Sequence, residues 1–227
     1  MSQISAQLVE GPLRRLPEPL AEALRAQTAT HSATDPAHDL QHVLRVVANT
    51  RQLLNAEQGD ARIAEPAAWL HDCITLPKNS PDRAKASALA AQAARPVLTE
   101  LGIPSALHDA IGHAIEAHSY SANIPPRTLE AAIVQDADRL DALGAIGIAR
   151  CFTVGGTFHS SLYHPDDPFC TRREPADREF CIDHFYAKLL KLADTMQTPA
   201  GREVARQRTA VLERFLDDFR SELGDFA

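Results

Sequence analysis

Between Leu40 and Leu54 the apolar residues Leu40, Val43, Leu44, Val47, Leu53 and Leu54 return at near-helical intervals. That period matches the 3.6-residue turn of an α-helix and not the two-residue alternation of a half-buried strand. The same period recurs in Leu107, Ile111, Ile115 and His118. Alanine and leucine dominate and aromatic residues make up only 5%, a mixture that favours helix over sheet. The expected fold is therefore all-α. With 227 residues, 44% hydrophobic and 23% charged, the chain has the make-up of a globular protein and not of a disordered one.

Proline and glycine divide the pattern into expected helices. Helices are expected over 19–30, from Thr34-Asp35-Pro36 onward, and over 61–73, 82–101, 103–118 and 129–143. Gly144 and Gly147 follow the last of these, and two closing helices span 177–195 and 199–223. Pro77 to Pro81 and Asn123 to Pro126 read as loops. The stretch near 155–175, rich in Gly, His, Asp and Pro, reads as a long irregular insert, a kind of segment that is often functional. No repeat or low-complexity linker divides the sequence. It reads as a single domain over 1–227, with a core of about 20–195 and a C-terminal helix of about 199–223.

A net charge of −7 and a pI of about 5.8 disfavour a nucleic-acid binder, which needs clustered Lys and Arg, but allow a local basic pocket for a small phosphorylated ligand. The opening residues lack a basic stretch followed by an apolar one, and no apolar run reaches about 18 residues, so neither a signal peptide nor a membrane span is expected. Cys73, Cys151, Cys170 and Cys181 form no CxxC pair, which argues against a thiolate zinc site and for reduced thiols in a cytoplasmic protein. Alanine- and leucine-rich helical faces are compatible with a homodimer.

Four residues carry the chemistry. His42 lies on a helix, His71 and Asp72 adjoin at the end of a short apolar one, and Asp138 lies within Gln135-Asp136-Ala137-Asp138-Arg139-Leu140-Asp141. Taken singly, each also suits an ordinary surface or core position. The apolar runs Ala67-Ala68-Trp69-Leu70 and Ile133-Val134 place charged groups on elements with a buried pattern, and buried carboxylates are costly unless paired or metal-bound. Imidazole and carboxylate together suit a divalent ion such as Mn, Fe, Co, Ni or Mg.

His42-Val43-Leu44-Arg45-Val46, His71-Asp72 and Ala137-Asp138-Arg139-Leu140 resemble the H…HD…D signature of the HD superfamily of metal-dependent phosphohydrolases. Further segments are similar to its bacterial YedJ/YpgQ-like subgroup. They include Pro77-Lys78-Asn79-Ser80-Pro81, His118-Ser119-Tyr120-Ser121-Ala122, Leu162-Tyr163-His164-Pro165-Asp166-Asp167 and Asp183-His184-Phe185-Tyr186. The resemblance implies a helical bundle in which His42, His71, Asp72 and Asp138 bind one divalent ion, with manganese favoured. It implies a small nucleotide as substrate and hydrolysis of dNTP to dNMP and pyrophosphate. A 5′-nucleotidase or phosphodiesterase would use the same centre, and a non-catalytic nucleotide- or metal-binding module is the alternative of a different class.

Some relatives carry an acid shortly after the His-Asp pair; here Cys73-Ile74-Thr75-Leu76 follow, which counts against ppGpp hydrolysis. Asp72 or Asp141, one turn beyond Asp138, is left to activate water. His118, inward-facing by its period, is a candidate to contact phosphate or to donate a proton to the leaving group. Lys78, Asn79, Arg83 and Arg139 are candidates to clamp a polyphosphate; a solvated polar loop is the plainer reading of the first three. Tyr163 and Phe169 could stack on a base or anchor the insert. His38 and Asp39 suit either an orienting role behind His42 or a helix N-terminal turn. Asp183-His184 is read as packing against the insert.

Overall fold

The computed structural model describes residues 8–9, 11–30, 39–74, 76 and 82–224. Their helices are α1 (Glu18–Thr30), α2 (Leu40–Glu57), α3 (Ala61–Leu70), α4 (Ala86–Glu100), α5 (Ser105–His118), α6 (Leu129–Leu140), α7 (Gly144–Thr157), α8 (Cys181–Ala187) and α9 (Pro199–Leu223). Shorter 3-10 turns occupy Arg83–Lys85 and Leu189–Thr195. No strand forms among the described residues, where Ser161 and Phe180 make one isolated bridge. The all-α expectation holds. Packing separates the chain into two compact units, Met1–Asp138 with Gln197–Ala200, and Arg139–Met196 with Gly201–Ala227.

In the first unit α1, α2, α4 and α5 pack on α3. Ala61, Ala64, Ala67 and Ala68 are wholly buried, and their small side chains let neighbouring helices approach closely. Asp60 caps α3 by accepting from the Arg62 amide at 3.0 Å. Glu65, also wholly buried, is matched by Arg51 Nε at 2.8 Å and Nη2 at 2.7 Å, and by the Leu16 amide at 3.1 Å.

The second unit departs from the sequence reading in two places. Gly144 and Gly147 open α7 instead of ending a helix at residue 143. Gly144 has φ +69°, the left-handed turn that lets the chain leave α6 at Leu140 and start again. A Cβ on Gly147 would press into the Ala142 carbonyl, so only glycine fits that first turn. The expected helix over 177–195 is instead α8 and a 3-10 segment, separated by Lys188 at φ −136°, ψ −57°.

Between α7 and α8 the insert is irregular, as expected, and is held by buried carboxylates. Asp183 accepts from Arg173 Nη1 at 2.5 Å and Nη2 at 2.7 Å, and from the Ala176 amide at 2.7 Å. Asp167 accepts from Thr171 N, Thr171 Oγ1 and Arg172 N at 2.8–2.9 Å. Phe152, Phe185, Phe215 and Phe219 form an aromatic core here, with Phe185 and Phe215 stacked at 5.6 Å.

Candidate metal centre

Three helices of the first unit end beside one another's functional side chains. His71 and Asp72 directly follow α3, His118 is the last residue of α5, and Asp138 lies in the last turn of α6. Carbonyl groups at helix C-termini lack intrahelical partners and carry partial negative charge, which favours a cation. His42 comes from the first turn of α2, where Asp39 Oδ1 accepts from the His42 amide at 2.8 Å. Asp39 is thus the N-cap that sets His42 in place. The helix carrying His42 begins at Leu40, and the expected start at Thr34-Asp35-Pro36 and His38 lie outside the described residues.

The donor atoms converge. His42 Nε2 lies 3.2 Å from His71 Nε2, 3.6 Å from Asp72 Oδ2 and 3.4 Å from Asp138 Oδ1. His71 Nε2 lies 3.4 Å from Asp72 Oδ2 and 4.0 Å from Asp138 Oδ1. His118 Nε2 stands 3.7 Å from the other Asp72 oxygen, Oδ1, and its ring meets His71 edge-on with centroids 4.8 Å apart. His42, His71 and His118 are buried, whereas Asp72 and Asp138 retain 14% and 24% side-chain exposure and leave an open side.

Two of the imidazole tautomers follow from the helix ends. His71 Nδ1 faces the Ala68 carbonyl at 2.7 Å and His118 Nδ1 faces the Ile115 carbonyl at 2.6 Å. A carbonyl only accepts, so both Nδ1 atoms carry the proton, and neutral rings present bare Nε2 lone pairs to the centre. Lone pairs on His71 Nε2, Asp72 and Asp138 therefore face one another with a positive charge called for between them. The titration directions agree. Burial pushes the His118 imidazolium down, but the Asp72 and Asp138 carboxylates and the Ile115 carbonyl raise its pKa overall. Burial pushes the Asp138 carboxyl up, but His42 first, and then His118 and His71, hold it well below the usual carboxylate range.

These residues fit a divalent ion. Donors about 2.1 Å from one ion stand about 3.0–3.4 Å apart at octahedral or tetrahedral angles and about 4.2 Å apart across it. The observed separations of 3.2–4.0 Å fall in that span. Mixed imidazole and carboxylate donors suit a borderline or hard metal. His42, His71 and Asp72 form a group that could hold a metal ion, with Asp138 Oδ1 adjoining.

The other sequence candidates are placed as follows. Asp141 is buried in the second unit, where its Oδ2 accepts from Arg150 Nη1 at 2.6 Å. Arg139, also there, donates through Nη1 to the Thr195 carbonyl at 2.7 Å. Tyr163 packs edge-on against Phe219 with centroids 5.7 Å apart, and Phe169 lies under the Arg220 guanidinium at 4.3 Å, so both anchor the insert. Arg83 is half-buried at the start of a 3-10 turn, and Lys78 and Asn79 lie outside the described residues. Asp183 packs the insert through Arg173, as read. Two buried amides in the first unit, Asn49 and Gln135, carry as their sequence signal a polar residue where the helical period calls for an apolar one.

Residues 39–143 match the HD domain family. The chain is 32% identical over 190 residues to YpgQ of Bacillus subtilis, spanning 82% of this chain and 84% of that one. The chain belongs to the HD superfamily. Its fold is similar to that of Bacillus subtilis YpgQ in complex with ADP, with a TM-score of 0.72, 29% identity and coverage of 92% and 97% of the two chains. It is also similar to an HD-superfamily hydrolase from Bacillus thuringiensis, with a TM-score of 0.69, 32% identity and coverage of 92% and 98%. The HD segment contains His42, His71, Asp72, His118 and Asp138, and so covers the whole donor cluster.

Proposed function

We propose that this HD protein is a metal-dependent phosphohydrolase of small nucleotides that converts a dNTP to the dNMP and pyrophosphate. The observation that carries the reading is the convergence of His42, His71, Asp72 and Asp138 around a point that calls for positive charge. These four residues would hold one divalent ion, with manganese the favoured choice. When bound, the ion supplies charge to offset the phosphate oxygens and lowers the pKa of water.

Asp72 divides its oxygens between two tasks. Oδ2 faces His42 and His71, while Oδ1 faces His118 Nε2. The Oδ1–His118 pair is placed to hold a proton, taken from attacking water or returned to the leaving group. The Asp72 carboxylate beside His118 raises its pKa and so favours a proton at that pair. Arg83, with no ion-pair partner among the described residues, together with Lys78 and Asn79 is assigned to the polyphosphate. The ADP complex of Bacillus subtilis YpgQ supports a nucleoside polyphosphate as ligand. No helix among the described residues is long and apolar enough to cross a membrane, and free thiols at Cys73, Cys151, Cys170 and Cys181 accord with a cytoplasmic enzyme.

The test is turnover of dNTPs, nucleoside monophosphates and cyclic nucleotides by the purified protein with Mn²⁺ in ¹⁸O-labelled water. Pyrophosphate release with label in the dNMP is expected, because water attacks the α-phosphorus and the bond to the bridging oxygen breaks. Label in pyrophosphate would move the attack to the β-phosphorus. Orthophosphate from dNMP at a comparable rate would make the protein a monophosphatase. No turnover of any nucleotide with metal bound would make it a binding module.

A further inference from the structure

Two helix carbonyls next to the donor residues are satisfied by buried side-chain amides. The Ala137 carbonyl lies in the last turn of α6, which ends at Leu140. It accepts from Asn49 Nδ2 of α2 at 3.0 Å. α5 ends at His118, and the orphan Ala117 carbonyl accepts from Gln135 Nε2 of α6 at 2.6 Å. Ala137 immediately precedes Asp138, and Ala117 immediately precedes His118. All four residues are buried, so water cannot replace either bond.

The spacing along each helix links these bonds to the donors. Asn49 lies seven residues after His42, two turns along the same face of α2. Gln135 lies three residues before Asp138, on the same face of α6. One amide therefore fixes α2 against the last turn of α6, and the other fixes α6 against the last turn of α5. Gln135 does so although its own Oε1 is buried without a partner, a penalty that an apolar side chain of the same size would avoid.

We propose that Asn49 and Gln135 are positioning residues, which hold the His42, Asp138 and His118 side chains at donor spacing by tying the three helices that carry them. The proposal rests on the metal-centre reading above. Partners that orient ligands from behind typically change metal affinity about 10–100-fold when lost.

Asn49→Leu and Gln135→Met keep volume and remove the donor. His108→Phe is the control. It removes a buried bond from the same α5, where His108 Nε2 meets the Ile103 carbonyl at 2.9 Å, ten residues or about 15 Å from His118. Co²⁺ affinity, the visible Co²⁺ absorption band, Tm and the imidazole NMR signals of the metal-free proteins are measured. The expected result is a lowered Tm in all three variants, but an affinity about tenfold weaker and a displaced band only in Asn49→Leu and Gln135→Met. Wild-type affinity and an unmoved band in those two would overturn the proposal. If the wild-type protein takes up no Co²⁺, the metal reading fails, and the imidazole signals of His42 and His118 still decide. They move in the two variants and not in His108→Phe if the amides set their places, and stay put otherwise. Asn49→Ser, too short to reach the carbonyl, replaces Asn49→Leu if that variant does not fold.

Discussion

Asp136 and Asp138 stand two residues apart on α6, and their opposite fates give the most decisive perturbation. Asp136 is wholly buried and accepts from the Gln197 amide, the Thr198 amide and Thr198 Oγ1, each at 2.8 Å. It thereby pins the residues that lead into α9. Asp136→Ala removes all three acceptor contacts. Gln197 is exposed and its amide can turn to water, but Thr198 is 2% exposed and its two donors lose this acceptor away from solvent. At about 1–3 kcal/mol for each buried bond lost, the two come to about 2–6 kcal/mol. For a chain of this size, each 1 kcal/mol lowers Tm by about 2–4 °C. The midpoint should fall by about 8–16 °C for a loss near 4 kcal/mol, followed by circular dichroism on heating. Asp136→Asn should fall by less, since one acceptor oxygen remains. A Tm lowered by under about 2 °C in Asp136→Ala would refute the view that this carboxylate, and not solvent, holds the start of α9.

Asp138→Ala should do the reverse, because that carboxylate is partly exposed and faces imidazoles instead of backbone amides. Its Tm without metal should stay close to wild type, while the metal-induced rise should vanish; in wild type that rise is about 5–11 °C at one hundred times the dissociation constant. Gly147→Ala should destabilise by about 1–3 kcal/mol, as its Cβ meets the Ala142 carbonyl; an unchanged Tm would show that this turn can yield. Asp167 is held down to about 2, first by the Thr171 amide and then, against burial, by the Arg172 amide and the Thr171 hydroxyl. This folded value lies below the ordinary unfolded one of about 3.9, so its contribution is present above about pH 4 and is lost as pH falls through about 2. The Thr171 and Arg172 amide NMR signals should titrate with a midpoint near 2, and a midpoint near 4 would contradict the bonding described.

The sequence by itself determined the helical class, the boundaries of α1, α5 and α9 to within about two residues, and the residues that converge in the first unit. Periodicity and capping are local, and the ligand types and their order survive as a one-dimensional pattern. The role of each similar-looking acid was not legible. Asp136, Asp138 and Asp141 fall within six residues, yet one caps a distant turn, one faces imidazoles and one pairs with Arg150. A carboxylate takes its function from the donor that the tertiary fold brings to it, and those donors come from residues 9 to 96 positions away. The start of α7 was hidden for a related reason. Glycine reads locally as a breaker, and only the close approach of the Ala142 carbonyl reveals why Gly147 belongs inside a helix. The same holds for Asn49 and Gln135, whose partners are backbone carbonyls. Every helix end offers carbonyls to accept such bonds, so only the packing of three helices could show which side chains reach them.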